Sequence, residues 1–378
     1  MRIGIDARAT MGVNDGIGRY ATELLKEFSR RDDGHEYIVL KNPRTRVSFA
    51  LDSRFREIVV STERFGVKEQ VVLPRILAPL GLDLFHALHA ALPLAYRGVM
   101  VMTVHDILPV LNPWSFGRGG LRNRIASAYF TGLLRASLRR ATFVAVSSEN
   151  TCRDLKSHLG VNPERLRKIY LGLDQGGFAA PRGADTMPGR LGLAAPFFLT
   201  VTNFKPHKNT GMLLRAFRLV REQLPEVQLA VVGADERGLA KTLGPPEALA
   251  SEGIHVLGYQ DDETVAGLMS MATAFVYPSL YEGFGFPIVE AMASGAPVIT
   301  SSAASLPELG GDAVLYIDPN DPVHIAHAMQ RVYADVPLRE ELRQKGKEQA
   351  ASFRWKDNAD AVLLMYRDAV HRRGHTGV

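Results

Sequence analysis

The regular alternation of short, continuous apolar runs with longer amphipathic stretches constrains the fold of this chain more than any other feature. Such runs occur at residues 37–40 and 99–104 in the first half, and at 197–201 and 298–300 in the second. A run that is apolar at every position is typical of a parallel strand whose sheet is covered by helices on both faces. The pattern therefore predicts an α/β protein with doubly wound sheets.

The length of the chain and one glycine-rich segment predict two domains. A chain of 378 residues is long for a single hydrophobic core and suits two domains of about 150–200 residues each. Residues 174–190 carry four glycines and two prolines with little periodicity, which is typical of a linker. We therefore expect an amino-terminal domain at 1–173, the linker at 174–190, a carboxy-terminal domain at 191–355, and a final helix at 356–378 that packs back on the first domain.

Charge is distributed unevenly along the chain. The net charge is +5, but residues 1–180 hold 26 Lys and Arg against 17 Asp and Glu, which leaves the remainder acidic. A basic half indicates an anionic partner, although ordinary variation in surface charge remains an alternative. No recognisable nucleic-acid-binding module is present, so we expect no nucleic-acid partner.

Cysteine content and hydropathy predict a cytoplasmic protein. Cys152 is the only cysteine, so no internal disulfide can form, which fits a reducing compartment. No apolar run reaches the roughly 18–20 residues that span a bilayer, and the first residues do not resemble a signal peptide. A basic amphipathic stretch nevertheless predicts a peripheral contact with the inner face of the cell membrane, with a helix packed on the sheet as the alternative. Its arginines are Arg118, Arg122, Arg124, Arg135, Arg139 and Arg140.

A glycine-rich loop follows the first predicted strand and precedes a helix that runs to about Ser29. Gly16, Gly18 and Ala21 fit a loose form of the dinucleotide-binding pattern, in which glycines let the backbone approach a phosphate. The acidic residue that would bind a ribose after the next strand is missing, which disfavours a nicotinamide oxidoreductase. We expect Gly16 and Gly18 to contact the phosphates of a ligand, with a plain turn as the alternative.

The most informative segment is residues 278–299. It follows a predicted strand, turns through Gly283 and Gly285, and begins a helix at Pro287. Backbone N–H groups at such a helix start favour an anion. Glu282 lies in the turn and Glu290 about one turn into the helix, so the two carboxylates can hold hydroxyls at both ends of a sugar–phosphate–ribose ligand. Taken singly, they also fit a solvated loop charge and a favourable position near a helix start.

This segment resembles the donor-binding segment of glycosyltransferase family 4, whose members are retaining enzymes. The resemblance implies the GT-B fold, in which two doubly wound Rossmann-like domains face each other across a cleft. It also implies that Glu282 contacts the donor sugar and Glu290 the ribose hydroxyls, around the donor-binding turn of Gly283, Phe284 and Gly285.

The resemblance extends over nearly the whole chain. Residues 103–109 look like the end of an amino-domain strand, which implies that His105 lies beside the transferred sugar. Residues 255–259 resemble the segment around the nucleotide base, which implies a donor contact from Leu257. Further matches are residues 146–148, 171–174 and 305–308.

One loop departs from the family pattern, which has an arginine and a lysine for the diphosphate. Lys208 matches the lysine, but Asn203 stands at the arginine position, so we expect Lys205 to supply the second charge. A lysine is a point charge and lacks the planar fork of arginine. The expected catalytic residues are therefore Lys208, Glu282 and His105.

The chemistry expected from these residues needs neither a metal nor a cofactor, since the nucleotide sugar is a substrate. The chain has no Asp-x-Asp sequence, and His86 and His89 lack partners at a recognisable ligand spacing, so we expect no metal site. Fixed cations and a helix start can stabilise the leaving diphosphate. No residue stands out as a nucleophile, and the resemblance favours attack from the leaving-group face, with His105 positioning the sugar.

The predicted function is transfer of a hexose to a lipid-linked or surface-polysaccharide acceptor. The resemblance to mannosyl-type members makes GDP-mannose the first expectation for the donor, ahead of UDP- and dTDP-linked sugars. The alternatives are a nucleotide-sugar epimerase or a phosphorylase on the same fold, and a non-catalytic nucleotide-sugar-binding protein.

Overall fold

The computed structural model describes residues 1–10, 16–112, 121–174, 177–178, 184–233 and 246–376. The chain divides into two compact units. Unit one comprises Met1–Gly172 and Trp355–Val378, and unit two comprises Leu173–Arg354. The predicted linker at 174–190 lies partly outside the described residues.

Unit one is built on a parallel sheet with the strand order β3-β2-β1-β4-β5-β6-β7. Its strands are β1 Arg2–Asp6, β2 Glu36–Lys41, β3 Phe55–Val59, β4 Leu84–Ala87, β5 Met100–Val104, β6 Phe143–Val146 and β7 Leu166–Lys168. Its first five helices are α1 Gly16–Ser29, α2 Val67–Leu77, α3 Leu108–Leu111, α4 Leu121–Arg140 and α5 Glu149–Leu159. All residues of β4, β5 and β6 are buried, because helices cover both faces of the sheet.

Unit two is built on a second parallel sheet with the order β10-β9-β8-β11-β12-β13. Its strands are β8 Phe197–Val201, β9 Gln228–Val232, β10 Ile254–Gly258, β11 Ala274–Tyr277, β12 Val298–Ser301 and β13 Leu315–Ile317. Its helices are α6 Met187–Arg190, α7 Thr210–Gln223, α8 Pro246–Ser251, α9 Asp262–Met271, α10 Phe286–Ala293, α11 Leu306–Gly310, α12 Pro322–Ala334 and α13 Val336–Ala350. Helices α7 and α12 pack together over one face of this sheet.

The last helix, α14 Trp355–Thr376, belongs to unit one and packs against α1. The backbone at Gly172 lies close to the start of this helix, since a Cβ added at Gly172 would lie 2.2 Å from the backbone nitrogen of Trp355. The buried Tyr366 of this helix reaches the sheet, where its hydroxyl lies 2.7 Å from His86 Nδ1 in β4.

The observed architecture confirms the predicted α/β fold with two doubly wound sheets. The sequence did not predict β7, whose residues Leu166, Arg167 and Lys168 do not form an apolar run. This strand lies at the edge of its sheet and is only partly buried, so it carries little of the signal that marks the central strands.

Candidate functional site

In unit two, the predicted donor residues gather at one edge of the sheet. Strands β8 and β11 are parallel neighbours, so the loops that follow them leave from the same edge. The first loop contains Lys208, and the second contains Glu282. Neighbouring carboxyl ends in such a sheet are where α/β proteins usually bind ligands.

A hydrogen-bonded cluster joins Lys208 to Glu282. Lys208 Nζ lies 2.8 Å from Glu282 Oε1 and 3.1 Å from Oε2, and it donates to the Tyr277 hydroxyl at 2.5 Å. Glu282 Oε1 also accepts from Tyr277 Oη at 2.8 Å and from Ser279 Oγ at 2.6 Å. The structure therefore brings two of the three predicted catalytic residues into one charge-paired cluster.

The cluster is mostly buried, with a small part of it exposed to solvent. The side chains of Lys208 and Glu282 are 15% and 11% exposed. Burial, and then the charge of Glu282, raise the pKa of Tyr277 well above its usual value, so its hydroxyl keeps its proton. Burial lowers the pKa of His207, and the neighbouring charges of Lys208 and Lys205 lower it further while Glu282 opposes them. The ion pair thus sits where its charges are little screened by water.

Several contacts hold the turn after β11 in place. Ser279 Oγ donates to the His207 carbonyl at 2.9 Å, and Ser305 Oγ donates to the Glu282 carbonyl at 3.0 Å. Gly285, which precedes α10, has φ 129°, and a Cβ there would lie 3.0 Å from Leu306 Cδ2. Only glycine fits this position without strain. The carboxylate of Glu282 is therefore carried on a loop with little freedom to move.

Glu290 lies in the second turn of α10 and is 8% exposed. Its charge contributes to the raised pKa of Tyr277, so it acts on the same region as Glu282. The turn residues Gly283, Phe284 and Gly285 between the two glutamates are all buried. The segment thus has the strand, turn and helix that the sequence predicted, with the helix beginning at Phe286 rather than at Pro287.

The loop after β8 displays Asn203 and Lys205 at the surface. The backbone N–H of Lys205 donates to Asn203 Oδ1 at 3.4 Å, while the lysine charge acts on His207. Leu257 is half-buried in β10. Lys205, Asn203 and Leu257 stay predictions as donor contacts, and Lys208 is the cation that the structure joins to Glu282.

In unit one, His105 follows β5 and is half-buried, with its Nε2 atom shielded from solvent. Burial lowers the pKa of His105 to about 4, although a hydrogen bond with the Leu88 backbone opposes this effect. The imidazole is therefore neutral at physiological pH. Its Nε2 has no hydrogen-bond partner among the described residues, and its ring meets the Tyr20 ring edge-on at 5.1 Å. A neutral, half-buried imidazole is suited to holding a ligand hydroxyl rather than to transferring protons.

A buried polar chain lies next to this histidine. The two ring nitrogens of His86 lie 2.7 Å from the Tyr366 hydroxyl and 2.8 Å from Thr103 Oγ1, and Tyr20 Oη lies 3.3 Å from the same Thr103 oxygen. Burial lowers the pKa of His86 to about 3 and raises that of Tyr20 to about 12. This chain of neutral groups ties α1 and α14 to the sheet beneath His105.

The predicted glycine loop is described only at its end. Gly16 is the first residue of α1 and is exposed, whereas Gly18 is buried within the helix. Residues 11–15 lie outside the described residues, as do Arg118 and the side chain of Arg122 in the basic stretch.

A charged cluster that the sequence analysis missed lies at the end of β1. The Arg8 guanidinium donates to both carboxylate oxygens of Asp6, at 2.8 Å and 2.6 Å, and also bonds Glu69. His89 Nε2 lies 3.0 Å from Asp6 Oδ2. Burial alone would raise the pKa of Asp6, but Arg8 and His89 hold it well below its usual value. The signal that could have revealed this cluster is the pair of charged residues directly after a buried strand.

The oxygen and nitrogen atoms of Asp6, Glu69 and His89 approach within 4.8 Å of one another, a spacing that suits a metal ion. In the sequence, His89 has no neighbours at a spacing typical of metal ligands, so Asp6 and Glu69 were not expected beside it. Arg8, however, already places a cation against both carboxylates, and all four side chains are buried. The donor set therefore suits a structural charge network better than a metal site.

Two family models match the chain. The model described as Glycosyltransferase Family 4 matches residues 14–176, and the model described as Glycosyl transferases group 1 matches residues 189–349. The two matches cover most of unit one and most of unit two.

Curated relatives include two Escherichia coli proteins. The O-antigen chain mannosyltransferase B is 38% identical over 177 residues, which are 45% of this chain and 45% of the relative. The serotype-specific mannosyltransferase WbdA is 25% identical over 271 residues, which are 70% of this chain and 32% of that protein. The matched region thus spans less than half the length of each of these relatives.

Among solved structures, the Anabaena protein HepE in complex with UDP and glucose has a TM-score of 0.75 and 19% identity. The match covers 97% of this chain and 100% of that chain. At this identity the likeness concerns the fold. No helix in the described part of the chain is long and apolar enough to cross a membrane.

Proposed function

The chain belongs to the family 4 glycosyltransferases, and on that premise we propose that it transfers a hexose from a nucleotide sugar to an acceptor hydroxyl. The observation that carries the proposal is the Lys208–Glu282 cluster beside the start of α10. A fixed cation, a carboxylate and a helix start converge there at the carboxyl edge of a parallel sheet. This combination suits a ligand that joins a diphosphate to a polyhydroxylated sugar.

The proposed reaction proceeds with retention of anomeric configuration. The bond between the sugar anomeric carbon and the phosphate oxygen breaks, and the acceptor oxygen bonds the same face of that carbon. The acceptor proton passes to the departing phosphate oxygen, so no protein base is required. Glu282 contacts the sugar, Glu290 the ribose hydroxyls, and His105, neutral at physiological pH, positions the sugar.

Lys208 and the helix start supply the positive charge that the leaving diphosphate needs, so we propose that no metal ion takes part. Preorganised donors aimed at developing charge lower a barrier without reorganisation during the reaction. Lys208 is suited to this role because its ammonium group is held by Glu282 and Tyr277 at fixed distances. Lys205 and Asn203 complete the proposed diphosphate loop.

GDP-mannose is the proposed donor. The two Escherichia coli relatives are named mannosyltransferases, which supports mannose. The Anabaena structure holds UDP and glucose, which keeps UDP-linked sugars as the next candidates. The proposed acceptor is a growing or lipid-linked polysaccharide, by analogy with the O-antigen chain relative.

We also propose a peripheral contact of α4 with the inner face of the cell membrane. Phe130, Leu133 and Leu134 of this helix are buried, so one face packs within unit one. Ile125 and Tyr129 are instead 60% and 39% exposed. Exposed apolar side chains among arginines suit an anionic bilayer surface.

Release of nucleotide from a panel of nucleotide sugars, with and without oligosaccharide or lipid-linked acceptors, tests the proposed function. Transfer predicts release that depends on acceptor, with mannose appearing in the product. Isomerisation of the donor without an acceptor would point to an epimerase, and saturable binding without turnover would point to a non-catalytic binding protein.

A further inference from the structure

A cavity of about 330 Å³ in unit one is lined largely by arginines. The lining contains Arg97, Arg139, Arg140, Arg165 and Arg372, and none of the described lining residues is acidic. The arginines come from four separate parts of the chain. The other lining residues, at 98–99 and 141–142, directly precede β5 and β6. The cavity therefore lies at the amino-terminal edge of the sheet, opposite the edge that carries His105.

Backbone carbonyls hold Arg140 and Arg165 of this cavity in place. Arg165 Nη2 donates to the Leu138 carbonyl at 2.5 Å and to further carbonyls at the end of α4. Arg140 Nη2 donates to the carbonyls of Tyr96 and Gly98, at 2.9 Å and 3.0 Å. Carbonyl oxygens hold these guanidiniums in place but do not neutralise them. The two side chains therefore form a rigid, positively charged wall.

The remaining three arginines add charge that this wall does not offset. Arg97 and Arg139 are exposed, and the side chain of neither forms a hydrogen bond or ion pair with any residue that the structure describes. Arg372 comes from α14, and its guanidinium carbon lies 5.5 Å from the centre of the Phe143 ring. Burial, and then the charge of Arg372, lower the pKa of Arg165, so the guanidiniums repel each other. A bound anion would relieve this repulsion.

We propose that this arginine cavity binds a phosphate-bearing anion. Guanidinium groups present flat arrays of N–H donors that match phosphate oxygens, and several can bond one phosphate at once. A phosphate monoester or a diphosphate carries about two or more negative charges, which suits several neighbouring cations, and the phosphodiester of a lipid headgroup carries one charge but offers the same kind of oxygens. The phosphate comes either from a soluble phosphorylated molecule or from a lipid headgroup. The proposal is independent of the donor site in unit two.

Calorimetric titration with inorganic pyrophosphate, at constant ionic strength set with sodium chloride, tests the proposal. The test protein is the triple variant Arg97→Gln/Arg139→Gln/Arg372→Gln, which keeps Arg140 and Arg165. A charge-matched control changes three exposed arginines of unit one whose side chains form no hydrogen bond or ion pair with described residues, namely Arg56→Gln/Arg75→Gln/Arg153→Gln. Thermal unfolding in sodium chloride checks that all the proteins fold, and single Arg97→Gln and Arg139→Gln variants replace the triple variant if it does not.

Pyrophosphate binding should weaken about tenfold or more for each arginine that contacts it, while the control keeps the wild-type affinity. Since Lys208 in unit two can also bind pyrophosphate, the titration is repeated with Lys208→Met, which should keep the arginine-dependent binding. Sedimentation with phosphatidylcholine vesicles, with and without phosphatidylglycerol, separates the two sources. Binding to phosphatidylglycerol that the triple variant loses and the control keeps, without pyrophosphate binding, assigns the site to lipid.

Two results would overturn the proposal. One is equal weakening in the triple variant and the control, which would reflect net charge alone. The other is the absence of saturable binding by the wild-type protein to either pyrophosphate or phosphatidylglycerol.

Discussion

Replacement of Lys208 by Met should affect stability and catalysis through two separate effects. The change keeps an unbranched side chain of similar length but removes the cation that bonds both oxygens of Glu282. With the carboxylate only 11% exposed, loss of its charge partner would cost about 3–5 kcal/mol in a fully buried pair. Tyr277 and Ser279 still donate to Glu282 Oε1, so we expect about 2–3 kcal/mol.

The catalytic effect of Lys208→Met should be larger than its effect on substrate binding. If Lys208 stabilises charge on the leaving diphosphate, its removal should lower kcat by roughly 100- to 1,000-fold, as does removal of one preorganised donor to an oxyanion. Lys205→Met is the matched control, because Lys205 is exposed in the same loop. It should lower kcat less than Lys208→Met and leave stability nearly unchanged.

The double variant Lys208→Met/Glu282→Gln separates the two effects. Neutralising Glu282 removes the unpaired carboxylate, so urea denaturation should show most of the lost stability restored. Nucleotide release should stay low, because the cation is still missing. Recovery of both stability and turnover in the double variant would refute the role assigned to Lys208, since its only function would then be to balance Glu282.

Three further predictions concern other charged groups. Free nucleotide lacks the sugar, so calorimetry should show that Glu290→Ala reduces its affinity roughly 10- to 100-fold and that Glu282→Ala leaves it nearly unchanged. Glu282→Ala should instead mainly lower kcat. The reverse pattern would exchange the two roles. Arg8→Met removes the guanidinium that pairs with the buried carboxylates of Asp6 and Glu69, so urea denaturation at neutral pH should show a loss of about 3–5 kcal/mol that shrinks as the pH falls and carboxyls protonate. A loss below about 1 kcal/mol would contradict the network. The pKa of His105 is lowered to about 4 in the folded protein, whereas the imidazole of the unfolded chain binds a proton near pH 6.5. Roughly 3 kcal/mol of folding stability is therefore lost as the pH falls from about 6.5 to about 4. The His105→Asn variant should lack this part of the pH dependence of stability.

Features encoded by neighbouring residues could be predicted from the sequence. Helix α12 has such local signals, because Asp321 caps its first N–H groups and Pro322 fits the first helical position. The central strands were predicted because helices bury both of their faces, which makes every position apolar. Glu282 and Glu290 could be found because they lie eight residues apart around a glycine turn.

Features created by the meeting of distant segments could not be predicted. Lys208 and Glu282 are 74 positions apart and meet because β8 and β11 are neighbours in the sheet. Each residue has a separate predicted role, and neither local pattern indicates that the two side chains touch. Likewise, Arg8 meets Glu69 across 61 positions, and nothing local to either residue indicates the other.

The proposed reaction is transfer of a hexose with retention and without a metal ion. Proton NMR of the glycoside formed from GDP-mannose, in which the sugar is α-linked, tests it most directly when the protein has been treated with EDTA. We expect an α-linked mannoside, formed at a rate that EDTA does not change. A β-linked product would contradict retention, and transfer that stops with EDTA and resumes with Mn²⁺ or Mg²⁺ would contradict the proposed role of Lys208.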